Sequence, residues 1–150
     1  MLAKLLKVEN IFCHQNLQSK KQILDKISSF FASKINTHSK TDILNYLLTR
    51  EKIGSTALGE GVAMPHVSLP DIQKPSVMFI SLKNSIDYDA PDKKPIDLLF
   101  AALIPKDGDK NYSYADDLYG ISDILSEHNK IKILRDTDDK QIIIDTFYEQ

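Results

Sequence analysis

The stretch Ile96-Asp-Leu-Leu-Phe-Ala-Ala-Leu-Ile104, closed off by Pro95 and Pro105, is the strongest constraint on what this chain can become. It is apolar at almost every position, so as a strand it offers no face to water and has to be covered. Ser76-Val-Met-Phe-Ile-Ser-Leu82, after Pro75, has the same character, and Ser85-Ile-Asp-Tyr88 reads as an edge strand. The cover is supplied by helical patterns on either side. Between Ser19 and Ile35 the residues Ile23, Leu24, Ile27, Phe30, Phe31 and Ile35 recur at helical spacing, with Ser19 placed to cap. A second pattern runs from about Thr41 to Thr49, with Ile43, Leu44, Leu47 and Leu48 on one face, and ends at Arg50-Glu51 before the break at Gly54. A polar loop from Lys106 to Asn111 leads to a helical pattern from about Tyr114 to Glu127, and a last helix carries Ile142, Ile143, Ile144, Phe147 and Tyr148. Helices before, between and after strands predict an α/β fold, a central sheet flanked by helices, in a single domain over residues 1–150.

A formal charge of −2 gives no overall positive field with which to hold a nucleic-acid backbone, so no nucleic-acid partner is expected. The opening Met1-Leu-Ala-Lys-Leu-Leu-Lys-Val-Glu interrupts its apolar residues with charges, unlike a signal peptide. No segment approaches the roughly 20 apolar residues of a bilayer span. The single Cys13 can supply neither an internal disulfide nor a multi-cysteine zinc site. A cytoplasmic location without membrane insertion is the expectation.

The chemistry is concentrated in Arg50-Glu-Lys-Ile-Gly-Ser-Thr-Ala-Leu-Gly-Glu-Gly-Val-Ala-Met-Pro-His66. Glycines let this backbone turn sharply, and Ser55 and Thr56 add hydroxyl donors, a combination that suits an anion. It is not a Walker loop, because no Lys-Ser or Lys-Thr follows, and it lacks the strand-glycine-helix order of a dinucleotide site. Val62-Ala-Met64 reads as a short strand, and Pro65 biases Met64 toward extended geometry, which presents His66 at the strand's end. If one ring nitrogen is hydrogen-bonded to a backbone carbonyl, the other is free to attack phosphorus. Arg50, Ser55 and Thr56 could then stabilise the negative charge of a phosphoryl group in transit.

Arg-Glu-x-x-Gly-Ser-Thr followed by Gly-x-x-Val-Ala-Met-Pro-His resembles the signature of the mannitol/fructose-type enzyme IIA domains of the phosphoenolpyruvate-dependent phosphotransferase system. Gln18-Ser-Lys-Lys21, the Asp87 to Asp92 loop and the Pro95 to Pro105 segment are similar to stretches of the stand-alone nitrogen-related enzyme IIA. The resemblance covers nearly the whole chain. It implies a mixed sheet of about five strands between helices, phosphorylation of His66 with Arg50 lining the site, and a small histidine-phosphorylated carrier protein as donor. Regulatory target proteins, in nitrogen- or potassium-type regulation, or a sugar-transport enzyme IIB would be the onward partners. No metal or organic cofactor is implied.

One departure is visible. Family members usually carry a second histidine opening the helix after the Pro105 loop, beside the phosphorylated one. Here the segment is Lys110-Asn-Tyr-Ser-Tyr-Ala-Asp-Asp-Leu118, and matching on Leu118 places Asp116 at that position, with Tyr114 nearby. Both enter the expected phosphate site. The alternative function is therefore a weakened or inactive module that binds an anion or protein without efficient phosphotransfer. His14, His38 and His128 lie in unrelated segments without metal-site spacing, and Asp87, Asp89 and Asp92 lack the glycine and glutamate of a calcium loop.

Overall fold

A computed structural model describes residues 2–107 and 112–148. Two short 3-10 turns, Leu2–Leu5 and Val8–Asn10, lead into strand β1 (Ile11–Gln15). Helices α1 (Lys20–Ala32) and α2 (Lys40–Ile53) come next, then three short strands, β2 (Ala57–Gly59), β3 (Val62–Ala63) and β4 (His66–Leu69). The two long strands β5 (Ser76–Ile86) and β6 (Ile96–Pro105) precede helices α3 (Tyr114–Ile124), α4 (His128–Asp136) and α5 (Lys140–Tyr148). The expected helices are present, with Ser19 capping α1 by accepting from the Gln22 N–H at 3.1 Å. The second helix extends one turn further than its pattern suggested, from a capping box at Ser39 and Asp42 to Ile53.

The sheet is mixed and open, with strand order β1-β5-β6-β3-β2 and β4 also on β6. β5 and β6 are antiparallel, whereas β1 lies parallel to β5 and both β3 and β4 lie parallel to β6. β3 and β4 share one side of β6 in a single register, Val62 opposite Leu98 and His66 opposite Ala102. Six strands therefore occupy about the five lateral positions that the resemblance implied. The interruption falls at Met64-Pro65, where proline has no N–H for the ladder, although the Pro65 carbonyl still accepts from the Ala102 N–H at 3.0 Å.

The apolar run that lacked alternation proves to be buried on both faces. Leu98, Phe100, Ala102 and Ile104 pack with α3, α4 and α5, while Ile96, Leu99, Ala101 and Leu103 pack with α1 and α2. Each large side chain sealed in this way contributes about 1.5–3 kcal/mol. One expectation needs correction, and two elements are additional to those expected. Ser85–Tyr88 is not a separate edge strand: Ser85 and Ile86 continue β5 after an irregularity, and the Tyr88 ring leaves the strand to become fully buried. β1 and α4 were not anticipated, the first because five residues carry too little periodicity and the second because its mean composition is polar. The loop expected from Lys106 to Asn111 begins with a turn at Lys106 and Asp107, and residues 108–111 lie outside the described residues.

Gly61 joins β2 to β3 at φ +84°, under a fork in which Arg135 donates through Nε and Nη2 to Asp97 at 2.6 and 2.8 Å. A Cβ there would stand 2.9 Å from Arg135 Nη2 and 3.2 Å from Asp97 Oδ1. Gly61→Ala combines left-handed strain with displacement of a bidentate ion pair, and is expected to lower unfolding free energy by about 1–3 kcal/mol. Urea unfolding measures this, and an unchanged midpoint would mean that the turn relaxes without disturbing the fork.

Candidate functional site

His66 follows the proline interruption as the first residue of β4, opposite Ala102 of β6. Its Nδ1 lies 2.8 Å from the Met64 carbonyl oxygen. A carbonyl can only accept, so Nδ1 carries the hydrogen and Nε2 keeps its lone pair. The ring is half-buried and borders a cleft of about 280 Å³ formed by Leu58, Met64, Ala115, Leu118, Tyr119 and Ser122. Ala115, Leu118, Tyr119 and Ser122 recur at the spacing of one helix face, so the first two turns of α3 form the wall opposite β2 and β3. Leu58 and Tyr119 are large apolar side chains left open to solvent at its rim, 43% and 72% exposed.

The other residues singled out by sequence do not line this cleft. Arg50 is on the last turn of α2 and donates from Nη1 to the Gly54 carbonyl at 2.9 Å. The Ser55 hydroxyl oxygen accepts from the Ala57 N–H at 3.2 Å, which leaves its own hydrogen free to donate. Thr56 is buried, and its hydroxyl donates to Glu51 Oε1, so its single donor hydrogen is already committed. Asp116 is exposed in the first turn of α3, where its N–H makes a long bond, 3.4 Å, to the capping Ser113 hydroxyl. It sits on a different face from the one toward His66, and the position that borders the cleft is Ala115. Tyr114 packs against the core and meets the Tyr112 ring edge-on at 4.8 Å between centroids. Neither Asp116 nor Tyr114 borders the cleft beside His66.

Sequence reasoning missed Ala115, Leu58 and Tyr119, which carry no diagnostic chemistry, and also Glu51 with its partners Lys20 and Tyr88. The Glu51 carboxylate meets Tyr88, 37 positions away, and Lys20 on another helix, so no local spacing announces it. The Asp87 to Asp92 loop is a turn: Asp87 accepts from the Asp89 N–H at 3.0 Å, and Asp92 accepts from the N–H groups of Lys94 and Glu60. Those backbone bonds, Lys94 first and Glu60 next, hold the Asp92 carboxyl below the usual carboxylate range. Among the described residues no group of three or more His, Cys, Asp or Glu is arranged to hold a metal ion, and no helix is long and apolar enough to cross a membrane.

The profile of the family described as "Phosphoenolpyruvate-dependent sugar phosphotransferase system, EIIA 2" matches residues 4–150. A nitrogen regulatory protein homolog of Haemophilus influenzae is 36% identical over 137 residues, which cover 89% of this chain and 82% of the relative. The crystal structure of nitrogen regulatory protein IIA-Ntr from Neisseria meningitidis superposes with a TM-score of 0.89 at 25% identity, covering 97% of each chain. The mannitol enzyme IIA of Escherichia coli, in its complex with phosphorylated enzyme IIB, superposes at 0.77 over 97% of this chain and 98% of that one. At 17% identity that likeness speaks for the fold alone. Fold and sequence together define a phosphotransferase-system component of the enzyme IIA class. Within that class the chain belongs to the EIIA 2 family and is related to the nitrogen regulatory proteins, with a general role in phosphotransfer and its regulation.

Proposed function

We propose that His66 Nε2 accepts a phosphoryl group from a histidine-phosphorylated carrier protein, and that the phosphorylation state of this chain is then read by regulatory partners. The observation that carries this reading is the Nδ1–H to Met64 carbonyl bond at 2.8 Å, which leaves the lone pair of Nε2 free on a ring that borders the cleft. As Nε2 forms its bond to phosphorus, the donor imidazole takes back the electron pair of its own N–P bond. The His66 Nδ1 proton stays where it is, held by Met64, so no separate base is needed. Arg50 and Ser55 lie outside the cleft's lining, but Arg50, tethered to Gly54 through Nη1, keeps further N–H donors, and the Ser55 hydroxyl another, for phosphoryl oxygens that extend beyond it. The N-terminal turn of α3 faces the same cleft, and its dipole favours the arriving negative charge. The exposed Leu58 and Tyr119 give the carrier an apolar rim on which to dock.

A second reading is favoured by one feature of the cleft: apart from His66, its lining residues bring no imidazole and no cation. On that reading the chain binds an anion or a protein without efficient transfer. An enzyme IIB, the partner in the mannitol complex from Escherichia coli, would be the acceptor if phosphate passes onward to a sugar. Incubation with a phosphoenolpyruvate-fed carrier cascade distinguishes the two. A mass gain of about 80 Da, the mass of one phosphoryl group, mapping to His66 is the expected result. No gain under conditions that phosphorylate an active enzyme IIA would leave the binding module as the function.

A further inference from the structure

Glu51 adjoins Arg50 on α2, yet its side chain is only 6% exposed. Four donors converge on its carboxylate. Lys20 Nζ reaches Oε2 at 3.0 Å and the Tyr88 hydroxyl reaches Oε1 at 3.0 Å. Thr56 gives both its hydroxyl, to Oε1, and its N–H, to Oε2 at 3.3 Å. Lys20 also stands 4.5 Å from the centroid of the Tyr88 ring, so α1, α2, the segment after β5 and the loop before β2 all meet at one carboxylate. Burial, and secondarily the charge of Glu51, raise the Tyr88 phenol far above its usual range, so it remains a donor throughout neutral pH.

Burying a carboxylate is costly, and even a well-paired one seldom stabilises more than apolar residues of the same volume. Stability alone does not account for this cluster. What it does fix is a backbone path. The Thr56 carbonyl accepts from the Met64 N–H at 2.9 Å, and the Met64 carbonyl accepts from His66 Nδ1–H at 2.8 Å. We propose that Glu51 is a positioning residue for His66: by gripping Thr56 at its N–H and hydroxyl, it aligns the Met64 peptide that keeps the ring hydrogen on Nδ1 and Nε2 bare. This inference rests on the reading of His66 as the phosphoacceptor.

Nitrogen-15 spectra of the neutral His66 ring show which nitrogen carries the hydrogen, whether or not any phosphate is transferred. The wild-type chain is expected to show the Nδ1–H form. Glu51→Gln keeps the size of the side chain but turns one acceptor oxygen into an NH₂ group facing donors. It should populate the Nε2–H form and slow phosphorylation about tenfold or more, the scale of a displaced reacting group. Thr56→Val, which loses the hydroxyl but keeps the shape, should move both readouts the same way, and Thr56→Ser should restore them. A folded Glu51→Gln or Thr56→Val chain with the wild-type tautomer overturns the proposal, even if it is phosphorylated more slowly. If the tautomer shifts as expected but the wild-type chain takes up no phosphate, the phosphoacceptor reading fails while Glu51 still positions the ring.

Discussion

His66→Ala abolishes phosphoryl uptake from the carrier cascade and leaves the folded chain in place. The expected loss is total because no other histidine shares the cleft. His14 contacts the Arg135 carbonyl and His38 bonds the Thr37 hydroxyl, while His128 opens α4 and borders a separate cleft on the other side of Leu58 and Ser122. The fold survives because residue 66 is tied to β6 through its backbone, opposite Ala102, and its half-buried ring makes one hydrogen bond, worth about 1 kcal/mol. Intact-mass measurement after incubation with the cascade, alongside thermal unfolding, tests both halves. A variant that still gains about 80 Da at the wild-type rate would move the phosphoacceptor elsewhere and end the present reading of the site.

Much of this arrangement was legible in the sequence, because it depends on local rules. Proline flanks marked β6, helical spacing marked α1 and α2, and Pro65 marked the strand end at which His66 is presented. Even there the detail differed. His66 opens β4 instead of closing the strand before it, since Pro65 interrupts the ladder without changing the register. Thr56 shows where local rules stop. Beside Ser55 in a glycine-containing loop it looks like a free hydroxyl, but Glu51 and Tyr88 have already engaged it. That engagement requires α2 and the end of β5 to be brought together by the folded core, and no spacing within the loop encodes it.

The α3 helix gives the second large expected effect, and it follows from which face of that helix borders the cleft. Counting back from Leu118, Asp116 is two residues away, about 200° around the helix, so it cannot share the Leu118 face. Ala115 is three residues back, about 300° around, and does share it; both border the cleft with His66. Repulsion by Asp116 is therefore not what would limit transfer, because an exposed carboxylate off the cleft is screened by water and salt. What the cleft lacks beside His66 is a second imidazole or a cation, since Ala115 ends at its methyl group. Ala115→His places an imidazole on the face that borders His66, in the first turn of α3, at a helix-propensity cost below about 1 kcal/mol. A donor aimed at the phosphoryl group in transit is worth about 10²–10³ in rate when well placed, so even imperfect geometry should speed phosphorylation of His66 at least about tenfold. Asp116→His, on the other face, should change the rate less than about twofold, as expected for a screened surface charge. Initial rates of phosphate uptake at neutral pH from a fixed concentration of carrier compare the two variants directly. If Asp116→His accelerates transfer as much as Ala115→His, α3 presents a different face to His66. If neither accelerates it, charge neutralisation in the cleft is not the slow step, and carrier docking on the Leu58 and Tyr119 rim becomes the step to measure.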